Sequence, residues 1–361
     1  NVISGNGNDG VLITGSGNLV QGNYIGTNAA GTADLGNGSA GVFVGAGSDV
    51  GNLIGGTTPG ARNVISGNDG HGVWFTGFDT TGNVVQGNYI GTDANGTADI
   101  GNTLDGVFIS YAASNNIVGG TAPGARNVIS GNDNHGVELF FSGTSANRIQ
   151  GNRIGVAANG STLGNGGDGV RISNGARGNS IGGTAAGSGN VIAYNGGAGV
   201  WVQAGIGNAI QSNRIFVNDG LGIDLGPPGV TANDVDDPDI GANRLFNFPL
   251  LYIAHQFDRI RPYPGPGVIH ELVLRVRGSI NTEMNKTLRI EFFASPAADP
   301  SGNGEGRRFI GATTVTTGNA NTVSFNVVLS PGILEGQVIT ATATDELGNT
   351  SEFSASTPVI E

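Results

Sequence analysis

The chain opens with NVISGN at Asn1 and keeps returning to it, as NVISGN at Asn63, NVISGN at Asn127 and NVIAYN at Asn190. The steps are 62, 64 and 63 residues. A period of that length marks a repeat architecture, in which each unit buries its apolar side by stacking on the next. Two further series interleave with the first. One is Gly-Val followed by a short apolar alternation: GVLIT at Gly10, GVFVG at Gly41, GVWFT at Gly72, GVFIS at Gly106, GVELF at Gly136, GVRIS at Gly169 and GVWVQ at Gly199. The other starts with Asn: NLVQGN at Asn18, NLIGG at Asn52, NVVQGN at Asn83, NIVGG at Asn116, NRIQGN at Asn147, NSIGG at Asn179 and NAIQSN at Asn208.

Successive valines of the Gly-Val series stand 30 to 34 residues apart, so the basic unit is about half the NVISGN step. Each unit holds three short strands punctuated by Gly and Asn turns, and no helical period is present. YIGT-type and NVISGN-type middle strands alternate, which doubles the unit. Equal strands without crossover helices bury their apolar side by coiling, so the pattern predicts a solenoid of three parallel sheets. Ile3, Ile65, Ile129 and Ile192 then point inward as one column. The Asn residues stack at the turns, each amide bonding to the next coil; plain turn preference is the alternative for them.

The N-x-[IV]-x-x-N and G-[VI]-x-[IV] motifs, over roughly residues 1–225, resemble those of the right-handed parallel β-helix repeat family. That family belongs to the pectate-lyase-like superfold, which many bacterial secreted and surface proteins share. The resemblance implies an all-β, three-sheet helix of about seven to eight coils and says little about activity.

Composition divides the chain. Residues 1–243 hold sixteen Asp and one Glu (Glu138), whereas 244–361 hold three Asp and eight Glu. Asp favours turns, because its short side chain bonds nearby backbone N–H groups. The first part, 1–243 with an acidic exit loop at 230–243, is thus the solenoid. In 244–361 the stretches VIHELVLRV, LRIEFFAS, FIGATTVTT, TVSFNVVL and VITATATD alternate at period two, as strands of an antiparallel sandwich do. The closing ITATATDELGNTSEFS resembles the last strands of immunoglobulin-like modules of bacterial secreted proteins, which implies a spacer or attachment unit.

The 361 residues include no cysteine, so neither disulfides nor thiolate metal sites hold the fold. A net charge of −12 disfavours nucleic acid and anionic lipid as partners. No apolar run is long enough for a membrane helix. The start, NVISGNGNDG, does not read as a signal peptide. An extracellular or bacterial cell-surface location therefore requires an export segment upstream. Asn1 begins in the second strand of a coil without a cap, which raises head-to-tail docking between copies, and hence filaments, as an expectation.

Chemistry has three candidate places. On the GVxI strands the residue after the inward Val faces outward. Coil by coil that column reads Leu12, Phe43, Trp74, Phe108, Glu138, Arg171, Trp201 and Asp224, with Phe43, Trp74, Phe108 and Trp201 as candidate ligand-binding aromatics. Coverage by the tail or another subunit is the alternative. Two residues before each Val runs Asp9, Ala40, His71, Asp105, His135, Asp168 and Ala198. Resemblance to polysaccharide lyases and hydrolases of this superfold, which place carboxylates and basic groups on one outer face, makes His135, Glu138, Asp168 and Arg171 the candidate catalytic set. None of the superfold's conserved active-site strings is present, and duplication of solvated turn residues explains the same column. Lastly, TANDVDDPDIGAN places Asp234, Asp236, Asp237 and Asp239 together as a candidate Ca²⁺ site, although Pro238 breaks the EF-hand spacing. The leading functional expectation is a non-enzymatic structural or adhesive surface rod. The alternative is a polysaccharide lyase, hydrolase or glycan binder acting on the outer GVxI face.

Overall fold

The computed structural model describes residues 1–45, 47, 49–262 and 268–361. Among these there is no α-helix, and no helix is long and apolar enough to cross a membrane. Three parallel sheets stack side by side. The first runs from Val2–Ile3 to Arg214–Phe216 and the second from Val11–Ile13 to Ile223–Leu225, with eight strands each. The third has seven, from Leu19–Val20 to Ala209–Gln211. Each sheet takes one strand per coil, in the order the three sequence series gave.

The interior is a stack of aliphatic columns. Ile25, Ile65, Ile90, Ile129, Ile154, Ile192 and Ile215 line the first sheet, all nearly or fully buried, while Val42, Val73, Val107, Val137, Val170 and Val200 line the second. Burying one such side chain contributes roughly 1.5–3 kcal/mol. The glycine before each valine is there for want of room. A Cβ on Gly106 would sit 2.5 Å from Ile129 Cγ2 and 2.7 Å from the Gly136 carbonyl.

Three asparagine ladders run along the corners. One descends Asn23, Asn63, Asn88, Asn127, Asn152, Asn190 and Asn213; a second runs from Asn37 to Asn218, and a third from Asn52 to Asn208 and Asn243. In each, the Nδ2 of one Asn donates to the Oδ1 of the Asn one coil on. That Oδ1 also takes the backbone N–H of the coil before, as at Asn63→Asn88 (3.0 and 3.1 Å). The amides are buried and satisfied, which turn preference alone does not provide.

The C-terminal part is a curled seven-stranded sheet. Leu250–Pro262, Val268–Asn281 and Thr322–Leu329 form one antiparallel group. Arg308–Thr316, Thr287–Ser295, Val338–Thr344 and Thr357–Ile360 form the other. The expected antiparallel sandwich is corrected at one seam: Leu250–Pro262 pairs in parallel with Thr357–Ile360, so the sheet is mixed. Between the groups lie Leu274, Val276, Leu288, Ile290, Phe292, Phe325 and Ile339.

This sheet plugs the last coil. Phe293 and Phe353 enter the same apolar core as the solenoid's valines and isoleucines. Because the ladders donate forward, the last coil presents backbone N–H groups with no coil ahead of them. Three glutamates accept them. Glu291 takes Ser212 N–H (2.7 Å), Glu305 takes Val217 and Asn218 N–H (2.7 and 3.1 Å), and Glu352 takes Leu225 and Thr231 N–H (3.1 and 3.0 Å). Thr350 and Asn349 take Ile210 and Gly207.

Candidate functional site

The outer face of the second sheet carries the two columns read from the sequence. Strand register places Leu12, Phe43, Trp74, Phe108, Glu138, Arg171, Trp201 and Asp224 side by side, one per coil. Phe43 meets Trp74 edge-on, with centroids 4.9 Å apart, and Trp74 lies 6.0 Å from Phe108. His71 stacks flat on Phe108 at 4.4 Å. The indole N–H of Trp74 donates to Ser110 Oγ at 3.0 Å, which fixes the ring's tilt. The C-terminal sheet sits on the end of the solenoid and leaves this strip uncovered.

The strip extends further than the Gly-Val pattern indicated. These strands are four residues long, so a second outward position follows the first, occupied by Thr76, Ser110, Phe140 and Ser173. Phe140 lies 5.6 Å from Phe108, and Tyr111 and Phe141 join it at 6.0 Å each. Tyr111 and Phe141 are 52% and 45% exposed, at φ of 48° and 76°. Such left-handed backbone is rare for a bulky residue and costs on the order of 1–3 kcal/mol. No propensity rule places an aromatic there, which is why sequence reasoning missed them; the only signal was aromatics in the turn after the strand.

Trp201 stands apart. The Arg171 guanidinium lies 4.3 Å over its ring, and its indole N–H donates to the Gly226 carbonyl. It lines a separate hollow of about 410 Å³ with Gln203, Pro228 and Leu245.

His135, Glu138, Asp168 and Arg171 do come together. Arg171 reaches Asp168 at 3.4 Å and Glu138 at 3.6 Å, His135 Nδ1 lies 3.3 Å from Asp168, and Ser173 Oγ donates to Glu138 at 2.7 Å. Burial dominates both shifted groups: it lowers the His135 pKa, keeping the imidazole neutral, and raises that of Glu138. The His135 Nδ1 accepts the Asp168 backbone N–H at 2.8 Å, which leaves the proton on Nε2. The same bond recurs down the column. Asp9 accepts from Ala40, His71 from Asp105, Asp105 from His135, and Asp168 from Ala198. The column is thus a fourth ladder, broken at Ala40, in which Asp9, His71, Asp105, His135 and Asp168 each accept a backbone N–H of the next coil.

Among the described residues, Asp105, His135 and Glu138 are the one group of three whose ligand atoms gather within 4.8 Å. They suit a cation poorly. Asp105 already accepts Asn134 and His135, and Arg171 sets a positive charge beside Glu138. The carboxylates of Asp234, Asp236, Asp237 and Asp239 form no such group. Asp237 is buried, accepting Asn247 N–H and Thr282 Oγ–H, and burial raises its pKa to about 6. Asp236 bonds to Asn281, and one oxygen of Asp234 is buried without a partner. The exit loop pins the solenoid to the following sheet.

No protein-family model and no curated protein matches the chain. Among solved structures, it is similar to the enzymatically active domain of tailspike protein 4 of bacteriophage CBA120, at 11% identity and a TM-score of 0.16. That match spans 96% of this chain and 62% of the tailspike chain.

Proposed function

We propose that the protein is a non-catalytic, saccharide-binding adhesive rod that engages sugar rings along the outer face of its second sheet. The observation that carries this reading is the unbroken aromatic belt of Phe43, Trp74, Phe108, Phe140, Tyr111 and Phe141 on an uncovered face. Tyr111 and Phe141 are exposed and the other four half-buried; a partly exposed aromatic patch of this extent marks a binding surface, and flat rings suit the apolar faces of pyranoses. The strained backbone at Tyr111 and Phe141 supports it, since strain collects where function holds a side chain in place. The adjoining His and Asp side chains are engaged with the backbone, which favours binding over turnover. The C-terminal unit serves as an immunoglobulin-like mount, its two strand groups joined by a parallel first-to-last pair, and places the rod at the cell surface or outside it.

The test is a glycan array read with the unmutated protein and with Trp74→Ala. Trp74 points away from the core, so the variant keeps its fold, its melting temperature lowered only by the lost contacts with Phe43, Phe108 and Ser110. It loses about tenfold or more in affinity, equivalent to ~1.4 kcal/mol. Equal binding by both proteins would overturn the reading. A lyase or hydrolase reading keeps one observation in its favour, the raised Glu138 carboxyl beside Arg171. It requires turnover of an acidic polysaccharide that drops about 10²-fold in Glu138→Gln.

A further inference from the structure

The first sheet has its own outward column, and here the repeat breaks. Register aligns Tyr24, Val64, Tyr89, Val128, Arg153, Val191 and Arg214. Tyrosine stands at the alternate coils of the first half, in YIGT at Tyr24 and Tyr89. Arginine replaces it in the second half, in RIGV at Arg153 and RIFV at Arg214. The consequence is visible beside the column. Arg62 and Arg126 occupy matching places in two copies of ARNVISGN, and their Nε atoms donate to the equivalent carbonyls of Gly87 and Gly151. Arg62 lies 4.1 Å over the Tyr89 ring, a cation on an aromatic face. Arg126 instead faces Arg153; burial first, and then that like charge, lowers the Arg126 pKa.

The stripe continues onto the C-terminal sheet. Arg214, Arg307 and Arg308 line an open groove of about 750 Å³ with Ser212, Pro296, Phe309 and Gln337. Two carboxylates bonded into this junction are already engaged: Glu291 is paired with Arg289 at 2.9 Å, and Glu305, beside Arg307, accepts the Val217 and Asn218 N–H groups. Among the described residues none of Arg62, Arg126, Arg153, Arg214, Arg307 and Arg308 forms an ion pair. These guanidiniums are held by backbone carbonyls and aromatic faces instead: Arg153 donates to Ala157 and Ala158, Arg214 to Arg307, Arg308 to Pro331, and Arg307 lies 4.6 Å over Phe216. In a chain of net charge −12, six guanidiniums without a carboxylate partner gather positive charge along this side. Clustered like charges are unfavourable until an anion joins them, and the guanidinium fork matches carboxylate and sulfate oxygens in pairs.

We propose that this face is a second binding surface, for an acidic polysaccharide whose carboxylate or sulfate groups seat on the arginine stripe. Arg153 and Arg214 are two coils apart, roughly 10 Å at the usual strand spacing, which is about the length of a disaccharide unit. The groove at the Arg307 end is too wide for a single inorganic anion, and Phe309 and Pro296 offer apolar walls for a sugar ring.

The experiment is calorimetric titration of the full chain with size-matched oligouronate, sulfated oligosaccharide, neutral oligosaccharide and single-stranded DNA. Expected is binding of at least one acidic oligosaccharide that weakens as salt rises, with none of the neutral one to this face. The double variant Arg153→Tyr/Arg214→Tyr restores the residue that earlier coils carry, so it folds, and it loses at least tenfold in affinity. The same tenfold loss on adding the double variant in a Trp74→Ala background separates this surface from the aromatic belt. No acidic binding at low salt, equal binding by the double variant, or DNA binding as tight as that of the saccharide would each overturn the proposal.

Discussion

A buried asparagine in this chain fills four hydrogen-bonding roles at once. Asn127 accepts the backbone N–H and the Nδ2 of Asn88, and donates to Val85 and to Asn152. Asn127→Ala strands donors and acceptors on two coils, at about 1–3 kcal/mol for each group left unmatched. Urea unfolding should show a loss of about 3 kcal/mol or more, whereas Asn8→Ala, at an exposed position, should cost less than about 0.5 kcal/mol. These amides were legible in the sequence because their register repeats, and only a stacked object needs Asn at a fixed interval. Phe140, Tyr111 and Phe141 were not legible as one surface. Their meeting depends on strand length and on a left-handed turn, neither of which a six-residue motif encodes.

At the scale of elements, the joint between the solenoid and the C-terminal sheet sets the response to pH. Burial raises Glu352 to about 7 and Asp224 to about 6, and raises Glu305 as well. A raised carboxyl binds its proton more tightly folded than unfolded, so its contribution to stability is full below the unfolded pKa. That contribution is lost as pH climbs through the folded value. Denaturant midpoints should therefore fall between pH 5 and pH 8, with Glu352 alone supplying on the order of 2 kcal/mol. Glu352→Gln should flatten that slope. The acidic exit loop behaves differently from its composition: Asp237 holds Asn247 and Thr282, so melting in excess EDTA and in millimolar calcium should coincide. Clustered Asp reads as a cation loop in sequence. The partners of Asp237 lie 10 and 45 residues away and carry no local signal.

At the scale of the whole molecule, the solenoid's core runs unbroken from the first coils to Phe293 and Phe353 of the C-terminal sheet, which has a second core of its own. Its three-sheet architecture was readable because parallel stacking is what three interleaved series with no helices can form. The plug was not, since no pattern says that Glu291, Glu305 and Glu352 meet backbone donors far upstream. Every coil in between is interchangeable in a way the ends are not. ARNVISGN occurs at Ala61 and again at Ala125, so excising residues 63–126 joins Arg62 to Asn127 with its local sequence intact. Asn23 would then donate to Asn127, Asn37 to Asn132 and Asn52 to Asn147, closing all three ladders over the gap. The shortened chain should fold, with its plug unchanged and its long axis reduced by roughly 10 Å in small-angle scattering. It would lack Trp74 and Phe108 yet keep Arg153 and Arg214, so it should forfeit the neutral sugar and retain the acidic one. Length, and with it the number of sugar units a rod can span, thus becomes a quantity that a single in-register recombination can change.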